Sequence, residues 1–247
     1  MSDDQTDPSA SSEPTSALLS LNVLAMQRVN IDDRLEHLEI YTPEGLLTVL
    51  WHGPADRSDV VICVGGALGG LLGPDGGVYH QLGRMLGAHD IGVIRLSYRR
   101  PNDLSMCVHD TLAVMELAAH HGARRYMTLG HSFGGAVAIQ AAAHLDAAAA
   151  PGVVTFATQA GGCEPAEQLG DRSLLFFHGT DDRILPPMAS EMVRMLAGHG
   201  ELVLLDGADH ALHPKGSEVL ARLLDHIPAV FAGTGSPPAA DDAPSSA

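Results

Sequence analysis

A serine held between two glycines, in Gly130-His131-Ser132-Phe133-Gly134, is the stretch whose residue types and spacing imply chemistry most directly. Tyr126-Met127-Thr128-Leu129 before it has the short apolar character of a buried strand, and residues 136–143 after it read as a helix of small side chains. A strand-to-helix turn this sharp puts the serine at strained backbone angles, and larger residues on either flank would collide with the strand and the helix. Glycine removes those collisions. The hydroxyl is then held at the carboxyl edge of a sheet as a nucleophile, and the first amides of the next helix point toward any oxyanion formed there. With 27 glycines in 247 residues, the pattern carries weight only if its surroundings agree.

Those surroundings alternate strand-like and helix-like segments. Residues 34–41 and 46–52 read as an antiparallel hairpin through Thr42-Pro43-Glu44-Gly45. Strands at 60–64, 91–96, 125–129, 153–156, 173–177 and 202–205 follow and should be parallel, because helical stretches at 79–86, 103–121, 133–145, 188–197 and 217–231 separate most of them. This gives an α/β protein of eight strands, the first two antiparallel, with the serine turn after the fifth.

That order resembles the α/β-hydrolase family over about residues 34–231, and within it the lidless branch of dienelactone-hydrolase-like and esterase-like members. The resemblance implies the α/β-hydrolase fold, a mostly parallel eight-stranded sheet with helices on both faces. It also implies a catalytic triad in the chain order Ser, Asp, His. Phe177-His178-Gly179-Thr180-Asp181-Asp182 resembles the family's His-Gly-x-x-Asp segment, which matches the acid to Asp182, and Asp206-Gly207-Ala208-Asp209-His210 resembles its Gly-x-x-His turn, which matches the base to His210. Ser132 would then attack a carbonyl while His210 takes its proton and Asp182 holds the imidazole tautomer. The oxyanion hole would use the Phe133 amide and one from the loop Val64-Gly65-Gly66-Ala67-Leu68-Gly69-Gly70-Leu71-Leu72-Gly73-Pro74. Glycine stands where the family usually has the histidine of His-Gly-x, so the second donor is Ala67 with Leu68 as the alternative. The elbow carries serine where dienelactone hydrolases carry cysteine, which favours ester or related acyl hydrolysis through an acyl-enzyme. An acyltransferase, thioesterase or peptidase using the same triad, and a non-catalytic binding scaffold, are the other readings.

Each assignment has rivals. Asp181, Asp206 and Asp209 are turn or cap residues by position, and His213, followed by Pro214, reads as the lead-in to the last helix. His178 is expected to hydrogen-bond around its turn. Residues 65–73 lack Gly-x-Gly-x-x-Gly and the P-loop ending, so a phosphate cradle is disfavoured. Cys163 could face the pocket, and Tyr98-Arg99-Arg100 either binds a substrate anion or forms a solvated basic loop. Only residues 157–172 are available where many family members insert a lid, so the site should be open to small or extended acyl substrates.

Composition bounds the partners. A net charge of −16 with Lys215 as the only lysine disfavours nucleic acid and anionic membranes, which need clustered cations. Cys63, Cys107 and Cys163 are odd in number and lack a Cys-x-x-Cys pair, so a disulfide framework and a zinc knuckle are not indicated, and a reducing, cytoplasmic setting is the default. No His-Glu-x-x-His occurs, and no metal or cofactor is expected. Residues 1–30 read as a disordered acidic segment, 31–232 as the hydrolase domain and 233–247 as a disordered tail. No stable membrane insertion is expected, and the last apolar helix fits packing either within a monomer or at a homo-oligomer contact.

Overall fold

The computed structural model of the chain describes residues 16–233. Its elements are α1 Ala17–Ser20, β1 Ala25–Asp32, β2 Leu35–Thr42, β3 Gly45–His52, β4 Asp59–Val64, α2 Val78–Met85, β5 Ile91–Ser97, α3 Leu104–His120, β6 Arg125–His131, α4 Phe133–Ala143, β7 Gly152–Phe156, β8 Ser173–Gly179, α5 Met188–Ala197, β9 Glu201–Leu205 and α6 Gly216–Phe231. The central strands form because their β-branched apolar runs are buried on both faces. Val60, Val61, Ile62 and Val64 of β4 are wholly inaccessible.

One sheet of nine strands runs in the order β1-β2-β3-β5-β4-β6-β7-β8-β9. The hairpin β2–β3 and the β3–β5 pair are antiparallel, while β5, β4, β6, β7, β8 and β9 are mutually parallel, as the alternation predicts. Helices cover both faces. Cys107 to Ala118 of α3 and Ala136 to Ala142 of α4 pack on one side. On the other, Val78, Tyr79 and Leu82 of α2 lie beside Val219, Leu223, Ile227 and Phe231 of α6, so the last apolar helix packs within its own chain.

The ninth strand is a correction. Residues 17–30 do not belong to a disordered segment: α1 docks through the Glu116 carboxylate, which accepts from the Ser16 hydroxyl at 2.5 Å and the Leu18 amide at 3.0 Å, and Leu21 is buried. β1 pairs antiparallel with β2 from Ala25 opposite Tyr41 to Asp32 opposite Leu35. All eight of its residues are exposed, so its sequence has no burial period to read, and only the ladder to β2 holds it. The tails expected at 1–15 and 234–247 lie outside the described residues.

The topology also places a site. β5 lies on one side of β4 and β6 on the other, so the chain reverses its winding direction between them. Loops leaving the carboxyl ends of β4 and β6 diverge there and open a crevice, the position where open parallel sheets bind ligands.

Candidate active site

Ser132 sits between β6 and α4 with φ 56° and ψ −120°, a left-handed conformation that L side chains seldom adopt. The chain around it over-determines that strain. The Ser132 amide donates to the Phe156 carbonyl at 2.8 Å, and its own carbonyl accepts from Gly135 at 2.9 Å. A Cβ at Gly130 would lie 1.9 Å from the Gly134 carbonyl oxygen, and one at Gly134 would lie 2.3 Å from that of Gly65. Backbone blocks both positions, so the two glycines of the motif are required by close approach.

The three residues matched to the triad meet. Ser132 Oγ is 3.0 Å from His210 Nε2, and His210 Nδ1 is 2.7 Å from Asp182 Oδ2, although 78 and 28 residues separate the partners in sequence. The Asp182 side chain is fully buried, and its Oδ1 accepts from the amides of Ile184 at 2.8 Å and Leu185 at 2.9 Å. Burial opposes its charge, but the Leu185 amide, the His210 imidazole and the Ile184 amide outweigh that penalty and hold the carboxyl below its ordinary value. An ionised Asp182 accepts the His210 Nδ1 proton, which leaves Nε2 free to accept from the serine.

Two supports lie behind this chain. His178, fully buried, has Nε2 3.1 Å from Asp182 Oδ2 and 3.0 Å from the Leu185 carbonyl, with Nδ1 2.7 Å from Ser190 Oγ. It ties the acid's turn to α5, in line with a hydrogen-bonding role. His131, the variable residue of the elbow, places Nε2 2.8 Å from the His210 carbonyl and its ring 5.1 Å from the His210 ring. Because a carbonyl only accepts, His131 carries its proton on Nε2, and burial lowers its pKa and keeps it neutral. Its role was invisible in the sequence, where it reads only as the spacer between Gly130 and Ser132.

The loop after β4 arches over the elbow. Tyr79 donates its hydroxyl to the Val64 carbonyl at 3.0 Å, Tyr98 donates to the Gly65 carbonyl at 3.0 Å, and Tyr98 packs edge-on against Phe133. A Cβ on Gly66 would stand 3.7 Å from Ser132 Cβ, so the loop backbone passes directly beside Ser132. Within it Gly69 donates to the Gly66 carbonyl at 2.9 Å, and among the described residues the Ala67 amide donates to no protein carbonyl. The Phe133 amide opens α4 and so has no intrahelical acceptor. Leu68 is 96% exposed, its side chain turned to solvent.

The rivals resolve into structural parts. Asp209 accepts from the Ala211 and His213 amides within its turn, and His213 pairs with Asp75 at 2.8 Å, which also accepts from Gly216 at the start of α6. Cys163 does not face the pocket: it is buried, its thiol donates to the Gln159 carbonyl at 3.1 Å, and burial pushes it up to about 12. Arg99 is neither a substrate anchor nor solvated. Its guanidinium is buried against Asp110 at 2.5 Å and reaches Glu44 at 3.0 Å, because Asp110 of α3 is itself buried and needs a cation. Among the described residues no group of His, Cys, Asp and Glu is arranged to hold a metal ion, and no helix is long and apolar enough to cross a membrane.

The site is open. Where a lid would be inserted, only a short 3₁₀ turn, Glu164–Gln168, is present. A cavity of about 640 Å³ is lined by His210 together with Asp181, Arg183, Ile184, Ala211 and Pro214 among others. Ile184 and Met188 are largely exposed on the loop and helix that follow the acid.

No protein-family profile matches the chain, and no curated protein sequence matches it. Among solved structures it is similar to Est1E from Butyrivibrio proteoclasticus, at 14% identity over 79% of this chain and 99% of that one, with a TM-score of 0.65. It is similar to a dienelactone hydrolase from Anabaena variabilis, at 13% identity over 84% of this chain and 98% of that one, with a TM-score of 0.63. An alpha-beta serine hydrolase homologue from Coxiella burnetii is 20% identical over 79% of this chain and 99% of its own, with a TM-score of 0.62.

Proposed function

We propose that this chain, built on the α/β-hydrolase fold, is a serine hydrolase that cleaves carboxylic esters or related acyl bonds through an acyl-enzyme. One observation carries the reading: the continuous path from Ser132 Oγ through the His210 ring to a buried Asp182 carboxylate, with both contacts at hydrogen-bond length. His210 Nε2 takes the serine proton as Oγ attacks the carbonyl carbon. Asp182 stabilises the imidazolium, and the amides of Phe133 and Ala67 receive the oxyanion. Collapse expels the alcohol with the proton from His210. Water then attacks the acyl carbon as His210 Nε2 takes its proton, and collapse releases the carboxylic acid while His210 returns that proton to Ser132 Oγ.

The short 3₁₀ turn where a lid would lie, and the exposed Ile184 in the cavity that His210 lines, support a small or extended acyl substrate with an apolar part. A cytoplasmic, unassisted enzyme acting on a small molecule agrees with the acidic charge and three free cysteines.

The test is a fluorophosphonate probe followed by intact-mass measurement of wild type and Ser132→Ala, alongside turnover of short-chain p-nitrophenyl esters. One adduct on wild type, none on the variant, and ester turnover lost with it is the expected result. Absence of labelling on folded wild type would reject the serine mechanism. Competing alcohols and amines in the same assay separate hydrolysis from acyl transfer by the products formed.

A further inference from the structure

Behind the loop after β4, on the face covered by α2, Arg95 of β5 is 3% exposed and has no carboxylate within ion-pair distance among the described residues. Its protein partners are all neutral. Nε donates to His52 Nε2 at 2.9 Å, one terminal nitrogen donates to the Leu71 carbonyl at 2.9 Å, and the other lies 3.4 Å from His80 Nδ1. A buried guanidinium without an anion is a costly arrangement, which natural chains keep when something completes it.

Arg95 can only donate, so it dictates both tautomers. His52 must accept at Nε2 and therefore carries its proton on Nδ1, and His80 accepting at Nδ1 carries its proton on Nε2. These two N–H groups are left over, and both rings line a cavity of about 360 Å³ that also meets Arg34, Arg84 and the carboxylates of Asp32 and Asp33. Asp32 is engaged in its own turn, with Oδ1 accepting from the Arg34 amide at 2.8 Å. Burial, reinforced by Arg95 and His80, brings His52 down to about 3, so it serves as a neutral donor at physiological pH. The cavity wall thus brings two imidazole N–H groups and two arginines together with Asp32 and Asp33, in a chain that carries 14 Lys and Arg against 30 Asp and Glu.

We infer that this cavity, between α2 and the β1–β2 turn, binds the oxyanion group of a small metabolite, a carboxylate or a phosphate, with His52, His80, Arg34 and Arg84 as donors and Arg95 as a buried positive charge behind the two rings. Its volume accommodates the anion with a small organic body. It is separate from the Ser132 crevice, yet Arg95 holds Leu71 of the loop that carries Ala67, so the two share one support.

The test is thermal unfolding and calorimetric titration of the full chain with inorganic phosphate and with citrate, each against sodium chloride at equal ionic strength. Binding raises Tm by about 2 °C or more at ten times Kd, and saturates. Arg84→Ala weakens binding at least about fivefold, and Asp32→Asn, which keeps the turn's acceptor and removes a repelling charge, tightens it. Whichever probe saturates at lower concentration names the oxyanion. A response equal to that of chloride, no saturation by either probe, or titrations unmoved by both substitutions overturns the inference. Both variants lie outside the Ser132 site, so ester turnover in them separates failure here from failure of the proposed activity.

Discussion

Asp182→Asn is the substitution that probes the proposed chemistry most sharply, because the surrounding contacts dictate how the amide must lie. Oδ1 of Asp182 accepts two backbone amides, from Ile184 and Leu185. An asparagine that turned its NH₂ toward them would oppose donor to donor, at a cost of about 1–3 kcal/mol for each unsatisfied group. Its oxygen therefore stays there, because the other placement opposes two amides, whereas an NH₂ at the Oδ2 position faces one N–H, that of His178 Nε2, which keeps the Leu185 carbonyl as its acceptor; the NH₂ then lies 2.7 Å from His210 Nδ1. Nδ1 must then accept, the ring proton moves to Nε2, and Nε2 can no longer take the Ser132 proton across 3.0 Å. A wrong tautomer in such a triad costs about 10⁴ in kcat, roughly 5.5 kcal/mol of barrier. The assay is kcat on a p-nitrophenyl ester, with fluorophosphonate labelling rate as a second readout and circular dichroism to confirm folding. Asp181→Asn and Asp209→Asn serve as controls and should stay within a few-fold of wild type. A folded Asp182→Asn variant within tenfold of wild-type kcat refutes the tautomer argument.

Ala67→Pro deletes the amide assigned to the oxyanion and should lower kcat about 10²–10³-fold, whereas Leu68→Pro should do less; the reverse ranking moves the donor to Leu68. His131→Phe keeps a ring against His210 but loses the bond to its carbonyl, so kcat should fall several-fold with KM little changed, and an unaltered kcat removes His131 from the positioning scheme. Gly134→Ala drives a Cβ into the Gly65 carbonyl and should cost about 2–3 kcal/mol in urea unfolding, whereas stability within 0.5 kcal/mol, about the scatter of neutral surface changes, would contradict the close approach. His52 is neutral when folded, with a pKa of about 3, so the unfolded chain binds the extra proton between that value and about 6.5. The stability it contributes is present above pH 6.5 and is lost as pH falls, by about 2 kcal/mol between pH 7 and 5. Urea titrations of wild type and His52→Gln at both pH values should differ by that amount, and parallel pH slopes would argue against a buried neutral imidazole.

The alternation of apolar runs with helical stretches was enough to write down the parallel core of the sheet, because β4, β6, β7 and β8 are buried on both faces and their composition says so without help from any contact. The serine turn was equally legible, since two glycines around one serine encode a steric demand that is local to five residues. Asp182 and His210 were matched through the resemblance of short motifs after two strands; nothing in either motif states that they meet. Their meeting is a consequence of β6, β8 and β9 ending at the same edge of one sheet, a property of strand order that no local pattern contains.

β1 escaped because an exposed strand held by one backbone ladder leaves no periodic trace. Arg99 was misread for a related reason, and the environment of Cys163 was left open. Arginine in a loop and cysteine after a strand carry no local mark of burial; the arrival of Asp110 from α3 decides the first, and inclusion in the core cluster with residues of α3 and α4 decides the second. Arg95 is the same lesson in reverse, a charged residue inside a β5 run that reads as apolar core, whose partners come from β3, α2 and the loop after β4. Backbone conformation and hydrophobic period act over a few residues, so the sequence by itself determined the elements and the elbow. Charge pairing, tautomers and access depend on which distant segments are brought within 3 Å, and those only the tertiary structure decided.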